Sequence, residues 1–177
     1  RKFFKKISLI RNHGIDRKQS NQKIYNWSYK VVCSGYNFRL NDIQSALGIS
    51  QLKKLNNFII KRNNIFKLYS KYLKQVNNLI NLPVVKKNIY SAHHLYIINL
   101  KKNKKKITRE KIIKKLFHNK IISQVHYIPV YLHPLFKNLK QNSFLGARRY
   151  FKNSLSIPIF PDLKKNQVKF ICRKLIE

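Results

Sequence analysis

The stretch that most constrains this chain runs from Gly35 to Gly48, Gly-Tyr-Asn-Phe-Arg-Leu-Asn-Asp-Ile-Gln-Ser-Ala-Leu-Gly. Its first half, Gly35 to Leu40, mixes a glycine, two aromatics, an amide and a guanidinium without periodicity, which reads as a loop presenting polar groups. Its second half reads as a helix. Asn41 can cap the free amides of a first turn, and Gln44 can reach back three residues in a capping box. Ile43, Ala46 and Leu47 follow at helical spacing, which predicts a stripe facing a core. A polar loop set at the start of a stiff helix is a common way to build a site.

Bulk composition bounds the rest. At 177 residues the chain can bury one ordinary core. It contains no methionine, even at position 1, and the expectation is a partial chain truncated at its front. Thirty-nine basic residues against five acidic ones give a formal charge of +34. Such a balance points either to a polyanionic partner or to compositional drift toward Lys, Asn and Ile. Lysine is spread along the chain rather than gathered on one segment, which favours drift. Cys33 and Cys172 lie far apart with no CxxC or Cys/His spacing, so metal binding is disfavoured and two reduced thiols in the cytoplasm are expected. No apolar run is long enough to span a bilayer, and no signal peptide is visible.

Taken in order, Ile7 to Ile10 reads as a short strand or helix end, and Arg11 to Gly14 as a turn in which His13 either touches a ligand or makes ordinary loop hydrogen bonds. Residues 16–34, with Tyr25, Trp27 and Tyr29, read as an extended loop. A second long helix over about residues 54–76 is predicted from Leu55, Phe58, Ile59, Arg62, Phe66, Tyr69 and Leu73, packing against a strand at Leu95–Leu100. Lys101 to Lys106 reads as a solvated hairpin or loop. Thr108 should cap a helix to His118 with Ile112, Ile113, Leu116 and Phe117 inward, followed by a strand over Ile121–Val125. Then come a short turn or helix at His133–Phe136, a helix over Gly146–Leu155, an edge strand at Ile157-Pro158-Ile159, and a last helix over Lys165–Ile176. Pro158 confines that strand to an edge or a strand end. Helices alternating with short strands give an α+β fold with its sheet covered on one face.

Five motifs in fixed order carry a resemblance: Arg11-Asn12-His13-Gly14-Ile15, the Gly35–Gly48 run with Gln51-Leu52, Ser91-Ala92-His93-His94-Leu95-Tyr96, Gln124-Val125-His126-Tyr127-Ile128-Pro129-Val130, and Leu155-Ser156-Ile157-Pro158-Ile159-Phe160-Pro161. Together they resemble the DegT/DnrJ/EryC1/StrS family of pyridoxal-phosphate-dependent nucleotide-sugar aminotransferases. The likeness covers nearly the whole chain. It is nearest to the branch that aminates a UDP-linked 4-keto-6-deoxy sugar on the pseudaminic acid route. The resemblance implies the C-terminal part of a fold type I, aspartate aminotransferase-like enzyme. Residues 1–50 would be the tail of its large cofactor-binding domain, carrying the interface loop. Residues 51–177 would be the long connecting helix and the small α+β domain.

The resemblance also assigns roles. The lysine that forms a Schiff base with pyridoxal 5′-phosphate, and the carboxylate on its pyridine nitrogen, would lie upstream of Arg1, so no catalytic lysine is assigned here. Asn37 matches the family asparagine that reaches across a homodimer interface to the cofactor phosphate, and Arg39 would add fixed positive charge there. The bland alternative for Asn37 is a turn residue in the left-handed region. Tyr36, His126 and Tyr127 are the candidates for binding the nucleotide sugar. Alternatively Tyr127 packs the fold and His126 bonds a backbone carbonyl. His93 departs from the family pattern, where a Trp often stands. The implied activity is amino transfer to a keto nucleotide sugar for surface glycan synthesis, in a cytoplasmic homodimer, with glutamate the expected donor. Two rivals are a catalytically inactive sugar-binding relative and a basic nucleic-acid-binding module. The second lacks zinc-ligand spacing, an RNP-type aromatic motif and a GxxG loop.

Overall fold

A computed structural model describes residues 2–16, 29–101, 107–139 and 141–177. The Tyr25 and Trp27 part of the extended loop and most of the Lys101–Lys106 run lie outside the described residues. The chain divides into two units, residues 1–53 and residues 54–177, and each is described by itself.

In the first unit α1 (Lys2–Arg11) leads into a turn, and a two-residue pair, β1 (Ile15–Asp16) with β2 (Lys30–Val31), runs antiparallel with Ile15 opposite Val31. Of the two readings for Ile7–Ile10, the helix end holds and the strand does not, since these residues form the last turns of α1. The helix that follows, α2, covers Asp42–Leu73 without interruption. The two helices expected on either side of residue 50 are therefore one. No proline separates the two periodic stretches, and a lone Gly48 costs a helix only about 1 kcal/mol relative to alanine. Its 32 residues make a rod of about 48 Å at the standard rise. The predicted capping box is present: Asn41 Oδ1 accepts from the Gln44 amide at 2.8 Å, and Gln44 Oε1 accepts from the Asn41 amide at 3.2 Å.

The stripe beyond that cap is not buried. Ile43 is 82% and Leu47 61% exposed, and Ala46 is exposed with them. The periodicity marks an apolar face correctly and mispredicts its burial, because spacing specifies a face and not what covers it.

The second unit holds the core. β4 (Tyr96–Leu100) is the central strand of a three-stranded antiparallel sheet, with β3 (Ile80–Asn81) on one side and β5 (Ser154–Ile157) on the other. Ile80 faces Leu100, and Tyr96 faces Ile157. Alternation along β4 buries Tyr96, Ile98 and Leu100. The C-terminal part of α2 packs its Tyr69 ring 4.9 Å and its Phe66 ring 5.0 Å from Tyr96, as the sequence predicts for this helix and strand. Two buried hydroxyls are satisfied at this contact: Tyr69 Oη donates to the Pro158 carbonyl at 2.8 Å, and Tyr96 Oη lies 3.1 Å from Ser70 Oγ. Burial pushes the Tyr96 phenol up to about 12 and Tyr69 higher still.

α3 (Arg109–His118) starts where expected, with Thr108 Oγ1 accepting from the Lys111 amide at 3.3 Å. It buries Ile112 and Leu116, but Phe117, expected inward, is 70% exposed. Ile121–Val125 is not a strand. Only Gln124 bridges to Ser156, although Ile121 is buried. α4 covers Leu145–Asn153, and Leu155, expected at its end, belongs to β5. The Ile157-Pro158-Ile159 strand moves correspondingly toward the N-terminus: β5 stops at Ile157, since Pro158 has no amide to extend the ladder. All four β5 residues are buried, more cover than a half-exposed edge needs. α5 (Lys165–Ile176) buries Val168, Ile171 and Cys172, and burial pushes the Cys172 thiol up to about 12. Among the described residues no helix is long and apolar enough to cross a membrane.

Candidate functional site

The Gly35–Leu40 loop of the first unit is held by its backbone. The Tyr36 amide donates to the Ile10 carbonyl at 2.7 Å, the His13 amide to the Tyr36 carbonyl at 3.0 Å, and the Phe38 amide to the Arg11 carbonyl at 3.0 Å. Asn12 and Asn37 form an antiparallel bridge. Two glycines permit this close approach. Gly14 has φ +70°, and a Cβ there would lie 1.7 Å from the Cys33 carbonyl oxygen; a Cβ on Gly35 would lie 2.3 Å from the Gly14 nitrogen. Any larger residue at either position would push the loop off the turn.

On this platform the sequence-predicted residues point outward. Tyr36 and Phe38 stack with centroids 4.8 Å apart and remain exposed. Arg39 Nε donates to Asn37 Oδ1 at 2.8 Å. Because a guanidinium only donates, the atom of Asn37 facing it must be the oxygen, and the amide nitrogen is turned elsewhere as a donor. The pair thus offers an exposed amide donor and a full positive charge side by side. That chemistry suits a phosphate group.

The second unit carries an open groove of about 830 Å³, lined among others by Arg62, Gln124, His126, Tyr127, Phe160 and Phe170. Ser156 Oγ lies 3.1 Å from His126 Nδ1 and donates to the Gln124 carbonyl at 3.2 Å, so the imidazole is tied to β5 through one nitrogen. The His126 and Tyr127 rings meet edge to face at 4.7 Å, and Tyr127 is 76% exposed. Its ring therefore faces the opening and does not pack the fold. His126 bonds a side-chain hydroxyl and not the backbone carbonyl of the bland alternative. Mixed aromatic walls with a few fixed polar groups are the usual make-up of a small-molecule site.

From the sequence alone Arg62 is only a member of the helix stripe. Its Nη1 donates to the Ile159 carbonyl at 2.9 Å and the His94 carbonyl at 3.2 Å, closing one end of the groove. The available signal is an arginine standing in an otherwise apolar stripe. His93 is buried, stacks on Phe66 at 3.8 Å and has φ +46°, and burial lowers its pKa. Among the described residues no group of three or more His, Cys, Asp or Glu side chains is placed to hold a metal ion.

Comparison with known proteins agrees with the motif order. The family model for the DegT/DnrJ/EryC1/StrS aminotransferases matches residues 2–176. A UDP-4-amino-4,6-dideoxy-N-acetyl-beta-L-altrosamine transaminase of Campylobacter jejuni is 35% identical over 167 residues, which is 94% of this chain and 42% of the relative. An uncharacterized protein of Methanocaldococcus jannaschii is 34% identical over 170 residues, 92% of this chain and 43% of the relative. The solved structure of Helicobacter pylori PseC, an aminotransferase involved in the biosynthesis of pseudoaminic acid, superposes with a TM-score of 0.82 at 31% identity, covering 99% of this chain and 45% of that one. The chain thus spans less than half the length of these relatives. With its ordered motifs, mixed helix-and-sheet fold and near-complete coverage by the family model, this chain belongs to the DegT/DnrJ/EryC1/StrS aminotransferase family.

Proposed function

We propose that this chain forms the interface-loop and small-domain part of an aminotransferase acting with pyridoxal 5′-phosphate. The observation that carries this reading is the Asn37–Arg39 pair, an exposed amide donor and a guanidinium on a loop whose backbone is locked to the 10–14 turn. The donor set fits a phosphate dianion, so the residues present suit the cofactor's phosphate. When bound, pyridoxal phosphate supplies the electron sink that allows an amino group to move. Asn37 and Arg39 would hold the phosphate of the cofactor in the other protomer of a homodimer. The cofactor-linked lysine is proposed to lie outside this chain. Tyr36, His126 and Tyr127 are proposed to bind the nucleotide sugar, with His126 oriented by Ser156. The proposed acceptor is a UDP-linked 4-keto-6-deoxy sugar, whose amination would give a UDP-4-amino-4,6-dideoxy sugar of the kind in the C. jejuni relative's name, and the proposed donor is glutamate, in a cytoplasmic pathway to surface glycans.

The test is made on the whole enzyme. Asn37→Ala should weaken cofactor retention about ten- to hundred-fold, the range for losing a hydrogen bond to a charged group, with less effect on turnover at saturating cofactor. A mixed dimer of one Asn37→Ala chain and one chain lacking the cofactor-linked lysine then decides the cross-subunit role. One site combines both defects and the other has neither, so at limiting cofactor, where both parent variants are weak, about half the wild-type activity should return. Activity no higher than that of the parent variants would place Asn37 at its own subunit's site or at none.

A further inference from the structure

His13 stands beside the Asn37–Arg39 pair, and that pair alone does not explain its conformation. It has φ +57°, in the left-handed region that residues with a Cβ seldom adopt, although Asn, Asp and His enter it more often than the rest. Gly14 next to it is also left-handed, at φ +70°. Backbone strain of this kind persists where surrounding structure imposes it, and it clusters at binding sites. The His13 amide donates to the Tyr36 carbonyl, in the loop that carries Asn37. Its imidazole Nε2 lies 3.4 Å from Arg39 Nη2.

The planarity of the guanidinium gives this contact a direction. Nε–H and one Nη2–H point along the same edge of the group. Asn37 Oδ1 takes the first at 2.8 Å, and His13 Nε2 faces the second. With its proton on Nδ1, the imidazole accepts at Nε2 and clamps that edge from the turn, as Asn37 does from the loop. The opposite end, formed by Nη1 and the second Nη2 proton, then projects away from both partners as a rigid two-proton fork. That is the geometry with which arginine receives a phosphate in bidentate fashion. A free arginine at this exposed loop would lose rotamer freedom on binding an anion; a clamped one has already lost it.

We propose that His13 is a positioning residue for the phosphate site. It holds the Arg39 guanidinium through Nε2, and its left-handed backbone is what brings the imidazole to that edge. This inference rests on the reading of Asn37 and Arg39 as phosphate ligands, and the experiment separates the two.

The probe is pyridoxine 5′-phosphate, which has the phosphate and ring but no aldehyde to react with surface lysines. Its affinity for the whole protein is measured by calorimetry alongside the melting temperature. His13→Asn keeps a side chain that tolerates the left-handed region but is too short to reach Arg39. His13→Gln places an acceptor where Nε2 stands but tolerates that backbone poorly. Positioning predicts that His13→Asn melts like the wild type and binds about two- to tenfold more weakly, the range for one hydrogen bond. It also predicts that His13→Gln melts lower yet binds nearly as well as the wild type, and that His13→Asn has no further effect in an Arg39→Ala background. If Asn37→Ala and Arg39→Ala leave affinity unchanged, the phosphate reading itself fails and the inference with it. If those two weaken binding while His13→Asn binds like the wild type, only the role of His13 falls. That role falls equally if affinity tracks melting temperature across the two His13 variants, or if His13→Asn and Arg39→Ala add fully.

Discussion

The two ends of α2 carry the same pattern and meet opposite fates. Ile43 and Leu47 near its start are spaced like Ile65, Tyr69 and Leu73 near its end. The first pair is exposed and the last three are buried against the sheet core. Nothing in local propensity separates the two ends. What differs is the presence of β4, β5 and α5 to complete the core around the C-terminal end. An apolar stripe states that a helix has a face to bury, and its partner decides whether that face stabilises this chain.

The largest expected effect tests that contrast directly. Leu73→Ala removes a fully buried side chain and should cost about 2–5 kcal/mol in urea unfolding, through lost transfer energy and a residual cavity. Leu47→Ala should change stability by less than about 0.5 kcal/mol. Equal costs would show that something covers the N-terminal stripe in solution. The same exposed stripe should bind a hydrophobic dye, and replacing Ile43 and Leu47 together with glutamine should lower the fluorescence; an unchanged signal would place the dye elsewhere.

Smaller effects sharpen the comparison at each end. Tyr69→Phe leaves the Pro158 carbonyl without its donor and should cost about 1–3 kcal/mol, the range for an orphaned buried polar group. Asn41→Ala and Thr108→Ala each remove a side-chain cap and should cost about 0.5–2 kcal/mol. Calorimetry should find the Thr108 loss in the main transition. Amide exchange should find the Asn41 loss in the first turn of α2, which no core packing supports. Global loss from Asn41→Ala equal to that from Thr108→Ala would remove the distinction between the two ends.

The smallest effect is a pH dependence. Burial lowers the His93 pKa below its ordinary value of 6.5. The unfolded chain therefore binds this proton first as pH falls, and stability is lost progressively below about pH 6.5. Glu110 and Glu177 act in a lower window. Glu110 is held down first by a hydrogen bond from its own backbone amide, and Glu177 by Lys174, so both stabilise above the ordinary carboxylate pKa of 4.5 and lose that contribution as pH falls below it toward their lowered folded values. His93→Asn, which suits the φ of +46°, should flatten urea midpoints between pH 7.5 and 5.5 and leave the lower window intact. An unchanged slope would show that His93 binds its proton equally in the folded and unfolded states.

The candidate sites were legible to different depths. Asn37 and Arg39 stood out because the polar loop before the capping box resembles the family motif, and that resemblance gave them their proposed roles. Their mutual hydrogen bond follows from their standing two residues apart. The ties from His126 to Ser156 and from Arg62 to the Ile159 carbonyl were invisible, because each joins residues far apart in sequence. The strand expected over Ile121–Val125 failed for a related reason. β-branched residues report a preference for extended backbone, and the ladder needs a neighbour in register, which only Gln124 finds.

By itself the sequence determined the helix starts at Asn41 and Thr108, the alternation of β4, the α+β class and the family, since each rests on short-range chemistry or on ordered motifs. Only the tertiary structure decided that α2 is continuous, which half of its stripe is buried, where β5 ends, and which side chains line the groove. Those outcomes depend on partners distant along the chain, and hydrophobic burial is non-directional, so local spacing cannot say which surfaces will meet.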